Sequence, residues 1–115
     1  MAAITTPTRY QGATAVTKAY ASTSTLVCSA PEGNDLHVCY ATLTGAMTIN
    51  VTCPGLIQFQ KVFFHFCPDG TGRVVTFGTG FVSSGTLTTV ASVDSTVMAI
   101  YDGTNLKIVA REIGA

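Results

Sequence analysis

From Ser24 onward, apolar and polar residues alternate in short runs punctuated by clusters of Gly, Pro, Asn and Asp. A period of two puts successive side chains on opposite sides of an extended chain, so each run predicts a strand with one apolar face. The clearest is Met47, Ile49 and Val51 alternating with Thr48, Asn50 and Thr52, a run that stops at Cys53-Pro54-Gly55. Before it, Thr25–Ala30 and Leu36–Thr42 flank Pro31-Glu32-Gly33-Asn34-Asp35, an arrangement that predicts a hairpin. After it, Leu56–Cys67 is apolar on both faces in its second half, as in a strand at the centre of a sandwich or one that meets another subunit. Pro68–Gly72 turns the chain into Arg73–Phe77, Gly78-Thr79-Gly80 follows, and strands are expected near Thr86–Ala91 and at Ser95–Tyr101. Asp102-Gly103-Thr104-Asn105 then joins Ser95–Tyr101 to Leu106–Arg111. The expected fold is all-β: a single antiparallel β-sandwich or jelly-roll-like barrel of about eight short strands over residues 24–115.

Residues 1–23 begin MAAITTPTRYQGATAVTKAY, rich in Ala and Thr and without strong alternation. They are expected to form an extended N-terminal arm, with a frayed terminus as the alternative. Ile4, Tyr10, Val16 and Tyr20 are spaced along it as the apolar anchors of a docking strap.

At 115 residues the chain has room for one core and no second domain. Charged residues make up only 10% of it, far below the usual quarter, and β-branched Thr supplies much of the polar surface. Six basic and six acidic residues cancel, so no net field draws the protein to nucleic acid or to an anionic membrane. A neutral, charge-poor surface protects weakly against association, which suits a protein buried in an assembly. The N-terminus has no basic region followed by an apolar stretch, and no run reaches the length of a membrane span, so synthesis in the cytoplasm is expected.

Little in the chain points to catalysis. His37 and His65 are the available imidazoles, and neither lies in a nucleophile motif. Glu32, Asp35, Asp69 and Asp102 all fall in expected turns, where acidic residues serve as turn formers. Gly78-Thr79-Gly80 lacks the following helix that a phosphate loop needs. The protein is expected to be no enzyme and to need no cofactor. The cysteines carry more chemistry. His37-Val38-Cys39 and His65-Phe66-Cys67 each place two metal-ligating side chains on one face of a strand, so His37, Cys39, His65 and Cys67 could converge if the strands face each other. Small buried hydrophobes are the commoner use of such cysteines. Cys28 and Cys39 are symmetric about Gly33-Asn34, so a hairpin turning there would set them opposite each other as a possible disulfide.

Asp69–Phe81 (DGTGRVVTFGTGF), Ser84–Thr88 (SGTLT) and Ile100–Glu112 (IYDGTNLKIVARE), preceded by Ala41–Val51 (ATLTGAMTINV), resemble small all-β virion proteins of tailed bacteriophages. These are capsid decoration proteins, head fibres and tail-fibre domains, and the resemblance covers about the C-terminal two-thirds of the chain. It implies a structural protein that forms a homotrimer, binds the major capsid protein and sits on the outer capsid surface. On that expectation Val62, Phe64, Phe66 and Phe81 are candidates for subunit contacts, and a tail-fibre, tail-tip or collar component with a receptor- or glycan-binding role is the alternative. The Cys and His content of Cys28–Cys67 departs from the usual pattern.

Overall fold

The computed structural model describes residues 13–82 and 85–113. Strands follow one another as β1 (Ala13–Ala19), β2 (Thr23–Ser29), β3 (Asp35–Leu43), β4 (Met47–Gly55), β5 (Lys61–Pro68), β6 (Val74–Phe77), β7 (Gly85–Thr88), β8 (Ser95–Tyr101) and β9 (Leu106–Glu112). There is no helix among the described residues, so the all-β class expected from the alternation is the one adopted. The strands form two mixed sheets, a five-stranded one ordered β1-β3-β5-β8-β9 and a four-stranded one ordered β2-β4-β6-β7.

The antiparallel expectation is corrected by this order. From β1 to β6 the chain steps to the other sheet after every strand, so β1, β3 and β5 stack in parallel in one sheet and β2, β4 and β6 in the other. Only then does it double back: β6 pairs antiparallel with β7, and β5 continues antiparallel through β8 to β9. Pro31–Asp35 accordingly joins strands of different sheets, β2 and β3, rather than a hairpin. Its turn is held by a hydrogen bond from Asn34 N to Pro31 O, with Gly33 at a φ of 89°. The Asp102–Asn105 turn does close a hairpin, its Asp102 carboxylate accepting from the Thr104 and Asn105 amides.

The N-terminal boundary also moves. Residues 13–19, expected in the arm, form the edge strand β1, where Val16 packs on the core; Tyr20 packs on it too and donates to Ala46 O at 2.9 Å. Val16 and Tyr20 are thus used inside the domain, while Ile4 and Tyr10 lie outside the described residues.

The buried faces of the two sheets meet in one core. Leu36, Val38, Tyr40, Val62, Phe64, Phe66, Val97 and Ala99 come from the larger sheet, and Leu26, Cys28, Met47, Ile49, Val51, Val75, Phe77 and Leu87 from the smaller. Val62, Phe64, Phe66 and Phe81 are therefore core residues, none more than 8% exposed, and are not available for subunit contacts. Phe64 meets Phe77 edge-on across the layers at 6.5 Å, and Phe77 meets Phe81 at 5.1 Å. Tyr40 and Ser24 link the two sheets through a buried hydroxyl pair 2.8 Å apart.

The glycine-rich segment Phe77-Gly-Thr-Gly-Phe81 is explained by this packing. It runs on from β6 beside the middle of β4, with Gly78 N donating to Ile49 O and Thr79 N to the Asn50 side chain, both at 2.8 Å. Gly80 has a φ of 93°, and a Cβ there would run into the Val51 carbonyl, so the backbone passes where a side chain has no space. The segment delivers Phe81 into the aromatic cluster and bridges it to Leu106 at the start of β9. Truncating Phe64 at the centre of this cluster should lower the unfolding free energy by about 3–5 kcal/mol in denaturant titrations, the cost of a large buried void. An effect below about 1 kcal/mol would mean that the two sheets do not share this core.

Candidate functional site

With the apolar faces turned inward, the outer face of the larger sheet becomes the part of the molecule where chemistry-bearing side chains gather. Its composition follows from register. Ala13, Asp35, Lys61, Ile100 and Lys107 lie side by side near one end. The next row is Ala15, His37, Phe63, Met98 and Ala110, and the one after it is Thr17, Cys39, His65, Thr96 and Glu112. Asp94 lies beyond it, close enough to act on both His65 and Cys67. The middle row, Ala15, His37, Phe63, Met98 and Ala110, is thus free of formal charge. It is bounded by Asp35, Lys61 and Lys107 at one end and by Asp94 and Glu112 at the other.

Neighbouring strands in register bring flat rings together. His37 stacks on Phe63 with centroids 4.6 Å apart and 11° between planes, and lies nearly parallel to His65, with centroids 5.2 Å apart and 7° between planes. His37 Nδ1 and His65 Nε2 are 2.9 Å apart, one donating to the other, and His65 Nδ1 is 3.2 Å from Thr96 Oγ1. Beside the ring pair, Ala13 and Ala15 are too short to fill the space above β1. The result is an open recess of about 540 Å³ lined by these alanines, His37, Cys39 and His65.

The two His-x-Cys steps do reach one face, but on adjacent parallel strands and not on strands that face each other. Their register is offset by one dipeptide: His37 sits beside Phe63, and Cys39 beside His65. The offset pairs the histidines diagonally and leaves Cys67 near Asp94, where burial and then the Asp94 carboxylate push its thiol up. Among the described residues no three His, Cys, Asp or Glu side chains are gathered as a metal cage. The Cys28–Cys39 pairing is also corrected: its hairpin does not exist, Cys28 lies in β2 and Cys39 in β3 of different sheets, and all four cysteines are free thiols.

The remaining candidates have structural partners. Asp69 takes a two-pronged ion pair from Arg73, with its shortest contact at 2.7 Å, and also accepts from Thr71 N. Hydrogen bonds from Arg73 hold the Asp69 carboxyl below its ordinary range, and those from the Asn105 and Thr104 amides do the same for Asp102. Phe63, Met98 and Thr96 were not singled out by the sequence pattern. The polar residues Lys61, His65 and Cys67, at alternate positions of the doubly apolar run, are the signal that marks Phe63 as outward. Gln60 was likewise missed. It is buried just before β5, accepts from Ile57 N at 2.6 Å and donates to Pro31 O and Asn34 O at 3.0 Å, tying two inter-sheet connections together. The segment Leu56–Gln60, expected to be strand, is therefore a turn, with Phe59 at a φ of 78°.

Comparison with models of known protein families and with curated proteins found no match.

The ring pair has a titration consequence. Desolvation, and after it the neighbouring His37, lower the pKa of His65 from its ordinary 6.5, with Asp94 opposing. The folded protein therefore favours neutral His65, whereas unfolded chains take up a proton as the pH falls through 6.5. The contribution to stability is complete above that value and is lost as the pH drops from there through the lowered folded value. Urea midpoints measured between about pH 8 and pH 5 should fall in this window, and His65→Gln should flatten the fall. An equal slope in the variant would place the acid sensitivity elsewhere.

Proposed function

We propose that this chain is a non-enzymatic structural protein that works by associating with itself through the outer face of its larger sheet, as a component of a phage virion surface. The observation that carries the proposal is the charge-free middle of that face, where half-buried Phe63, Met98 and His37 stand among alanines in a chain that places its charges elsewhere. Large outward apolar groups without covering polar residues are the mark of an interaction surface. The occupant that fits is a second copy. Turned end for end, it brings Lys61 and Lys107 of one copy to Asp94 and Glu112 of the other while the neutral rows pack together.

The virion setting rests on the sequence resemblance of Asp69–Phe81, Ser84–Thr88 and Ile100–Glu112, which also favours a homotrimer, a decoration or head-fibre role and the major capsid protein as partner. In this reading the two-layer body is a wound β-sandwich, and residues 1–12 remain as the strap that docks on the shell, stabilising it by contacts made only in the closed lattice. A tail-tip role would use the same body with its contacts directed to a receptor.

Sedimentation equilibrium of the full chain should find an oligomer, a dimer for the end-for-end contact or a trimer for the phage-like assembly. Phe63→Asp should shift it to monomer, whereas Val27→Asp, at a residue 63% exposed on the outer side of the smaller sheet, should leave it unchanged. A wild-type chain that stays monomeric overturns the proposal. Co-sedimentation with phage heads lacking their decoration should weaken on deletion of residues 1–12, which leaves β1 intact. Equal binding by the truncated chain would remove the strap.

A further inference from the structure

The geometry points to Cys28 and Cys53 as a disulfide-forming pair that staples β2 to β4. The strands run parallel and in register from Thr23↔Thr48 to Val27↔Thr52, and pairing resumes at Ser29↔Gly55. One residue of β2, Cys28, therefore stands opposite two of β4, Cys53 and Pro54. The strands also come close here: a Cβ on Gly55 would lie 2.9 Å from the Ser29 Cα, and Ala30 N donates to Gly55 O.

Alternation turns both sulfurs the same way. Cys28 follows Ser24 and Leu26 on the inward face of β2 and is 0% exposed, while Cys53 follows Ile49 and Val51 on the inward face of β4 and packs against the core from its partly open end. The two thiols are neighbours, and their interaction, with burial after it, holds the proton on Cys28 while making Cys53 the easier thiol to ionise.

The pair is thus ordered as an entry thiol and a resolving thiol. Cys53 thiolate attacks one sulfur of a small-molecule disulfide such as oxidised glutathione, forming a mixed disulfide and releasing one glutathione thiolate. Cys28 gives its proton to that thiolate, and its sulfur attacks Cys53 Sγ, breaking the mixed disulfide and releasing the second glutathione. Two thiols become one disulfide as one oxidised glutathione becomes two reduced molecules. Because β4 is the only strand partner of β2 among the described residues, which leaves β2 at the edge, the bond would pin the element most easily peeled from the smaller sheet. It closes a loop of about 25 residues in the unfolded chain, which makes unfolding harder. None of this depends on self-association.

The test uses the full chain incubated with oxidised glutathione, followed by intact mass under non-reducing conditions and peptide mapping. The wild type and a Cys39→Ala/Cys67→Ala variant, whose core thiols are untouched, should each lose about 2 Da for the two hydrogens and yield a Cys28–Cys53 linked peptide. Their urea midpoints should rise and return on adding dithiothreitol. Cys28→Ala should instead stop at a glutathione adduct on Cys53. A lasting adduct on Cys53 in the wild type, a linked peptide joining other cysteines while this pair stays reduced, or two thiols that remain free would each overturn the assignment.

Discussion

The rest of the structure depends on the contact among Phe64, Phe66, Phe77 and Phe81. These rings come from both sheets and from the connection between β6 and β7, and they meet edge-on or tilted between the layers at 5.1 to 6.5 Å. Edge-to-face contact gives such rings a preferred geometry as well as apolar burial, so the cluster sets how the layers sit on each other. Gly78 and Gly80 serve this contact. A Cβ at position 80 would run into the Val51 carbonyl, and one at position 78 would displace the Asn50 side chain that accepts from Thr79 N. The Gly78-Thr79-Gly80 segment is thus a packing device, and the Gly78 and Thr79 amides are already spent on Ile49 and Asn50 and are not turned outward toward an anion.

Committing these rings to the interior leaves the other side of the same strands to be filled by something else. On β3 and β5 that something is an imidazole, a second imidazole and a phenyl ring with their planes nearly parallel, flanked by alanine and methionine. The parallel winding of β1, β3 and β5 makes the array possible, because it sets side chains from successive passes of the chain directly beside one another. The same winding in the smaller sheet brings Cys28 to Cys53. Both sites are products of stacking between passes, one on an outer face and one on an inner face.

Much of this was legible along the chain. The alternation in β4, the strand at Ser95–Tyr101, the Asp102–Asn105 hairpin and the all-β class follow from the two-residue pleat and from local turn chemistry, which depend on a residue and its immediate neighbours. That His37 and Cys39 share a face, as do His65 and Cys67, follows from the same pleat. The winding left a weaker trace: β1, β3 and β5 begin at residues 13, 35 and 61, about two dozen residues apart and within the range of solenoid repeats.

What the tertiary structure alone decided was the pairing. Pro31–Asp35 states that the chain turns, but a turn to the neighbouring strand and a turn to the opposite sheet use the same residue types, and only the distant partners of β2 and β3 separate them. That choice removed the Cys28–Cys39 pair. The register of β3 on β5 then offset one His-x-Cys step from the other, and the competition of Val62, Phe64 and Phe66 with Phe63 for the core decided which side of β5 faces out. Alternation is written into each strand by its own backbone. Which strand lies beside it, and in what register, is settled by long-range burial of apolar surface, and no local stretch of sequence carries that information.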